Sequence, residues 1–435
     1  MYALLFCALF VAYAYFNHND GWNQGIRIAK LHAVVTKGTI KVDDYRHLSG
    51  DGALIDGHYY SEKAPATFSL ALPAFAVTVW IQQLLGIDPD GASAWRVSEW
   101  IATASSMGLV TALGGLAFFA LLRARFDALT AILGTYALFL GSLTWPYATT
   151  LFAHAGTIGL LSVALWAALA SQHPRRDFLA GLTAGLAVAS EYPAVIPCAL
   201  IACYLASTAL SRVWRFGLGT VPAAVLILAN NYFTTGSAFH VAYGANATFP
   251  DLVADNGMGF GWPPRFDLML GMVWGEYRGL FFWCPALMMS AIGLYEAFRR
   301  DRAVGMLMGA TIAMVLVIMG SFYGPFGGNA VGPRYLAPAL PFIGLAAAYG
   351  TSRWPEMGLI LVVLSVLFTG LVTAIAVDPP GDVLRPLQDF YLVRFNADRF
   401  ADNLGTILGL PLWLSLLVPF VFPVLTAWRA LRATA

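Results

Sequence analysis

Two stretches of the 435-residue chain gather side chains that can do chemistry. The first, "NHND" over 17–20, ends in Asp20 just past an apolar run. A carboxylate at a water–lipid boundary can act as general base for a hydroxyl. It can equally cap the helix that follows or sit solvated at the interface. The second, "DGHYYSEKAP" over 56–65, sets Lys63 between Glu62 and Pro65 at the head of another apolar run. Lysine binds phosphate as a point charge, or it snorkels and pairs locally with Glu62. His58 and Tyr60 beside it either line a polar pocket or belong to the interface.

Four more residues carry similar weight. Arg334, in "GGNAVGPRYLAP", opens a helix, where it can fork onto a phosphate or rest against lipid headgroups. Arg278, in "EYRGLFFWCP", either reaches a phosphate too or pairs with Glu276. His154 and Glu191 lie at membrane depth, where ionisable residues are costly and often mark function. A satisfied core histidine is the ordinary alternative for His154. Glu191 interrupts "AGLAVASEYPAVIP", and Pro193 frees a backbone carbonyl at what reads as the outer end of a helical hairpin. The phosphate-loop, dinucleotide, nucleophile-elbow and zinc-protease motifs are absent. Cys7, Cys198, Cys203 and Cys284 all sit in apolar runs, without the spacing of a zinc site.

The elements that must position these residues are membrane helices. The chain is 59% hydrophobic and 11% charged, against about 25% charged in soluble domains. Several apolar runs reach the roughly 20 residues that cross a bilayer, and the alternating runs of a β-barrel are missing. The fold class is therefore an all-α polytopic membrane protein. A net charge of +1 gives no electrostatic case for nucleic acid. "MYALLFCALFVAYAYF" has no basic lead or cleavage signature and reads as the first span.

Basic clusters at Arg123/Arg125, Arg175/Arg176, Arg212/Arg215, Arg299/Arg300/Arg302 and Arg429/Arg432 orient the spans. Segments 127–146, 151–170, 178–190, 192–209, 215–231, 279–298, 303–322, 334–350, 357–377 and 405–428 then close as a consistent series. The front closes only if one of 66–86 and 97–122 fails to cross. Pro73, Gln82 and Gln83 mark 66–86 as that segment, lying along the outer surface. The count is then about twelve spans, or about thirteen with one charge cluster misplaced. A single membrane domain results, with a first outer loop at 17–96 carrying juxtamembrane helices, a second at 232–278, and no separate soluble domain. In 22–35, Trp22, Ile26, Ala29 and Ala33 share one face of a helix on the membrane. All the chemistry-bearing stretches fall on the outer face.

With those residues in place, the chain resembles the GT-C superfamily of integral membrane glycosyltransferases. It is most similar to the bacterial group with the aminoarabinose–lipid A transferases and protein O-mannosyltransferase relatives. The resemblance rests on the acid after the first span ("NHND"), the long first loop with "YSEKAP" where relatives have "EKPP", and the stretches "EYRGLFFWCPALMMSAIGL" and "GPFGGNAVGPRYLAPALPFIGLA". It implies a polyprenyl-phosphate-linked sugar donor, a lipid, glycan or protein acceptor, and a bacterial inner membrane with the site facing the periplasm. Asp20 then matches the catalytic base and Lys63 the lysine at the carrier phosphate. Arg334 is a second phosphate ligand on weaker grounds, and Arg278, His58, Tyr60, His154 and Glu191 are binding candidates. The chain departs from the pattern at His154, where relatives carry an acid, and at Glu191, where they carry a lysine. "NDG" also replaces "DE" after Asp20. The resemblance admits a divalent metal without assigning its ligands.

The implied reaction is one inverting displacement. Asp20 takes the acceptor proton, and Lys63 and Arg334 stabilise the leaving phosphate. The alternatives are a secondary transporter or lipid-carrier flippase, which would favour repeats and midplane polar groups, and a ligase with its arginines in one large late loop.

Overall fold

The computed structural model describes residues 1–18, 21–249, 259–324 and 326–432. These are almost entirely helical, with two small two-stranded sheets. Six helices are long and apolar enough to cross a membrane: α3 (Pro65–Leu84), α4 (Ala92–Arg123), α9 (Leu210–Thr235), α11 (Arg302–Gly320), α13 (Pro355–Ile375) and α14 (Leu412–Arg432). Shorter apolar helices accompany them: α1 (Tyr2–Ala14), α5 (Ala128–Phe139), α6 (Ala153–Leu169) and, after a 3-10 turn at Tyr192–Ala194, α8 (Val195–Thr208). With α7 (Arg176–Ser190), α10 (Met289–Arg300) and α12 (Leu340–Arg353) they form one bundle. A helix satisfies its own backbone polar groups, so this is a viable way to place such a chain in lipid. The protein is a multi-pass membrane protein.

Several expected spans are broken, always where proline or glycine removes the helix's own support. The 127–146 segment stops at Phe139 and resumes as a short helix, Thr144–Ala148, around Pro146. The 279–298 segment is interrupted at Cys284–Pro285, and 334–350 begins with a 3-10 stretch, Arg334–Ala339. The 405–428 segment is a short turn of helix, Leu404–Ile407, then Gly409 at φ 87°, then α14 after Pro411. Conversely, α9 begins before Arg212 and Arg215, which lie inside it.

The first loop folds as a small polar subdomain at one end of the bundle. α2 (Trp22–Lys37) is followed by a 3-10 stretch, Asp43–Leu48, and a hairpin of β2 (Ala53–Ile55) and β3 (His58–Tyr60). Asp56 and Gly57 turn the hairpin with φ 48° and 79°, the left-handed pair that an Asp-Gly turn supplies. Pro65 then starts α3, its fixed φ suited to a first helical turn. A second pairing, β1 (Phe16–Asn17) with β4 (Asp402–Asn403), ties the end of α1 to the approach to α14. α2 does not rest on a surface by one face. Trp22 is 53% exposed, while Gln24, Arg27, Lys30 and His32 are buried with Ile26, Ala29 and Ala33. The reason is that α3, α4 and the following loop wrap it on several sides.

α3 both starts and ends beside this subdomain. Phe75 packs on His32, and Gln82 Nε2 donates to the Ala94 carbonyl at 2.9 Å. His32 stacks on Trp95 with ring centroids 3.4 Å apart, and its Nδ1 lies 3.6 Å from Asp90. Gln24 Nε2 reaches Glu99 at 2.5 Å. α4 then runs antiparallel to α1: Trp100 Nε1 donates to the Ala14 carbonyl at 3.0 Å, and Phe119 packs on Tyr2 with ring centroids 5.3 Å apart. The chain therefore makes no net passage through the bundle between α1 and α4, although α3 is long enough to make one.

α7 and α9 cross closely. A Cβ at Gly181 would overlap the Phe216 carbonyl, so only glycine permits the approach. This contact sets α7 against α9; Glu191 follows the last residue of α7.

Candidate active site

Lys63 sits in the link between β3 and α3. Its ammonium lies 2.6 Å from Glu62 Oε1 and 2.8 Å from Asp51 Oδ2. The Asp-Gly hairpin brings Asp51 back to it. Burial alone would lower the Lys63 ammonium, but the Glu62 and Asp51 carboxylates outweigh it and hold it above its ordinary value. Burial likewise raises Asp51, while Lys63, and further off Arg334 and Arg27, bring it below the usual carboxylate range. An ammonium has three donors, so two carboxylate contacts leave one for a ligand.

Arg27 comes from α2, one turn after Asn23, whose carbonyl its Nη1 meets at 2.8 Å. It is buried, and its Nε has no hydrogen-bond partner. Burial pushes it down to about 10, against the pull of Glu62, Glu191 and Asp51.

A second cluster stands opposite. His154, in the first turn of α6, holds its Nδ1 2.5 Å from Glu191 Oε1. Glu191 follows the last residue of α7 on extended backbone and begins the turn into α8. The contact is close but not aligned as a hydrogen bond, and both imidazole nitrogens and both carboxylate oxygens lack one. Tyr147, Phe152 and Tyr335 meet the imidazole edge to face, with centroids 5.1, 6.0 and 6.2 Å away. Arg334, at the start of the 3-10 stretch, lies with its guanidinium over Phe152 and Tyr335. It is 9% exposed, and its Nε is unpartnered.

Both clusters open into a cavity of about 800 Å³. Arg27, Glu62, Lys63, His154 and Glu191 are among its polar lining, and Val195, Ile196, Ile227, Ile318, Met319 and Phe322 among its apolar lining. A smaller cavity of about 240 Å³, bordered by His18, Phe152, Asp378 and Arg394, lies beside the end of α1.

Of the residues singled out in the sequence, Lys63, His154 and Glu191 share the large cavity, and Arg334 backs its Tyr335 wall. Arg278 does not line it. Its Nη1 donates to the Phe326 carbonyl at 3.0 Å and also to that of Gly328, and it is fully buried. Nor does it pair with Glu276, which meets Arg385 instead at 3.6 Å. His58 holds Asp43 at 3.0 Å on the partly exposed side of the hairpin, and Tyr60 is in β3; neither lines the cavity. Asp20 lies outside the described residues. Arg27 and Asp51 escaped sequence reading. A cation set among Ile26, Ile28 and Ala29 was a usable signal for Arg27; Asp51 gave none. Among the described residues, no group of three or more His, Cys, Asp or Glu is placed to hold a metal ion.

No protein-family model matches the chain, and no curated protein does. Solved structures do. ArnT from Cupriavidus metallidurans bound to undecaprenyl phosphate matches over 98% of this chain and 74% of its own, with TM-score 0.54 at 18% identity. The chain shares the fold of ArnT. Apo ArnT matches over 99% of this chain and 74% of its own, with TM-score 0.51 at 18% identity. An archaeal oligosaccharyltransferase, AglB from Archaeoglobus fulgidus with an inhibitory peptide and a dolichol-phosphate, gives 0.41 at 12% identity over 98% of this chain and 55% of that one. The likeness to ArnT runs through nearly the whole of this chain, so the first-loop subdomain and the bundle belong to one architecture.

Proposed function

We propose that this protein is a membrane glycosyltransferase. It moves a sugar from a polyprenyl-phosphate donor to a hydroxyl of a lipid, glycan or protein acceptor at the outer face of the membrane. The observation that carries this reading is Lys63, a half-buried ammonium with one donor to spare, in the wall of a large and mainly apolar cavity. The fold is similar to that of ArnT, which has been crystallised with undecaprenyl phosphate. An apolar cavity with a few convergent charges is the form a lipid-phosphate site takes.

In this mechanism the phosphate lies toward Lys63, Arg27 and Arg334, and the prenyl chain follows the apolar wall. Asp20 takes the acceptor hydroxyl proton as its oxygen attacks the anomeric carbon. The bond from that carbon to the phosphate oxygen breaks, its electron pair stays on the phosphate, and configuration inverts. Fixed cations stabilise this growing charge better than water does, because they need no reorganisation. α2 and α3 are juxtamembrane helices in this reading, and the site faces the periplasm.

The test is transfer by the purified protein in bilayers, with a panel of polyprenyl-phosphate sugars. Wild type should consume one donor. Asp20→Asn should abolish turnover with donor binding kept, and Lys63→Ala should weaken binding and turnover together. A donor consumed equally by both variants sinks the assignment.

A further inference from the structure

The geometry points to His154 and Glu191 as the part of the large cavity that holds a hydroxyl-bearing sugar ring. This rests on reading the cavity as a lipid-phosphate sugar site. The two side chains are 5% and 10% exposed, pair at 2.5 Å and line the cavity together. His154 Nε2, Glu191 Oε2 and the neighbouring Ser190 Oγ are buried without a hydrogen-bond partner. Leaving such groups unsatisfied costs about 1–3 kcal/mol each, so the site is built for a polar occupant.

Charge decides which kind. The Glu191 carboxylate accepts only and repels a phosphate, which has Lys63 and Arg27 to bind instead. A prenyl chain satisfies none of these atoms. Hydroxyls do: they donate to Glu191 and either donate to or accept from His154 Nε2, according to its tautomer. Tyr335, Phe322 and Tyr243 add the aromatic wall that a sugar ring packs against. Glu191 lies against the Nδ1 side of the imidazole, which leaves Nε2 for the ligand. The ring is either the donor's own sugar or a sugar acceptor.

The experiment compares binding of bare polyprenyl phosphate and of polyprenyl-phosphate sugar by the full chain in nanodiscs, then acceptor kinetics. The variants are His154→Gln and Glu191→Gln, with Lys63→Ala alongside. Both should bind the bare lipid as wild type does. They should bind the sugar-bearing lipid about tenfold or more weakly, as expected for lost hydrogen bonds to a charged group. If the ring is the acceptor's, donor binding stays and acceptor KM rises by a similar factor, which equally supports the subsite. Lys63→Ala should weaken both lipids alike. Loss of both lipids in the His154 and Glu191 variants, or no change in any of the three measurements, overturns the inference. A wild type that binds neither lipid overturns the lipid-phosphate reading itself, and the inference with it.

Discussion

Lys63 and Asp51 meet at 2.8 Å across the turn made by Asp56 and Gly57. This contact ties the start of the hairpin to a residue of the large cavity. Replacing Asp51 by Asn leaves Lys63 with Glu62 alone, in surroundings that are 15–17% exposed. Breaking such a partly buried pair should cost about 1–3 kcal/mol. Asp51 is held below its ordinary value. Its contribution is therefore present above the unfolded value, about 3.9, and is lost as pH falls through the folded one. Thermal unfolding from pH 6 to 3 should steepen in wild type and flatten in Asp51→Asn. Parallel profiles would show that the pair contributes nothing.

Lys30 is a charge that costs stability where Asp51 is one that adds it, although both make stability rise with pH. Burial pushes its ammonium down to about 8, with Asn230 at 2.8 Å and the Phe68 ring beside it. Between pH 8 and the unfolded value of about 10.4, the unfolded chain binds more protons, so stability rises with pH. The cost of charging Lys30 is fully present below pH 8. Lys30→Met should remove that rise and stabilise the protein at pH 7 by about 1–3 kcal/mol. Unchanged pH dependence of the unfolding temperature between pH 7 and 10 would contradict it.

The positions of the apolar helices were largely legible because apolar length reports them directly. Where the helices break was not, since Cys284–Pro285 and Pro411 lie inside runs whose hydropathy never drops. The charge rule set 66–86 apart; α4 does run antiparallel to α1, while α3 is itself long and apolar enough to cross a membrane. The site was legible residue by residue and not as pairs. His154 and Glu191 both stood out as ionisable groups in apolar runs. Their 2.5 Å contact depends on how α6 and α7 pack, which no local pattern encodes. The same limit hid Arg278, whose partners at Phe326 and Gly328 come from a distant loop.

Gly327 and Gly328 offer a matched pair for testing Arg334. Both have positive φ, 77° and 63°, so alanine at either strains the backbone by a similar amount, about 1 kcal/mol. They differ in space. A Cβ at Gly327 would overlap the Arg334 side chain, whereas one at Gly328 meets nothing within 4 Å. Gly327→Ala should therefore weaken donor binding by about tenfold, as expected for a displaced charge-assisted contact, while Gly328→Ala leaves it near wild type. Both should lose similar thermal stability. Equal donor affinity in the two variants would remove Arg334 from the phosphate end.

The path of the first loop is testable without any substrate. Asp88, in the turn after α3, and Asp56, in the hairpin, are both exposed. His32 stacks on Trp95 and approaches Asp90, so that turn lies at the hairpin's end of the bundle. Ala124, just past α4, is exposed near the start of α1, at the other end. In a background with Cys7, Cys198, Cys203 and Cys284 replaced, cysteines at 56 and 88 should react with an impermeant thiol reagent applied outside spheroplasts. A cysteine at 124 should react only after lysis. Protection at 88 with labelling at 56 would mean that α3 crosses the membrane, and the packing of α1 against α4 would then be wrong.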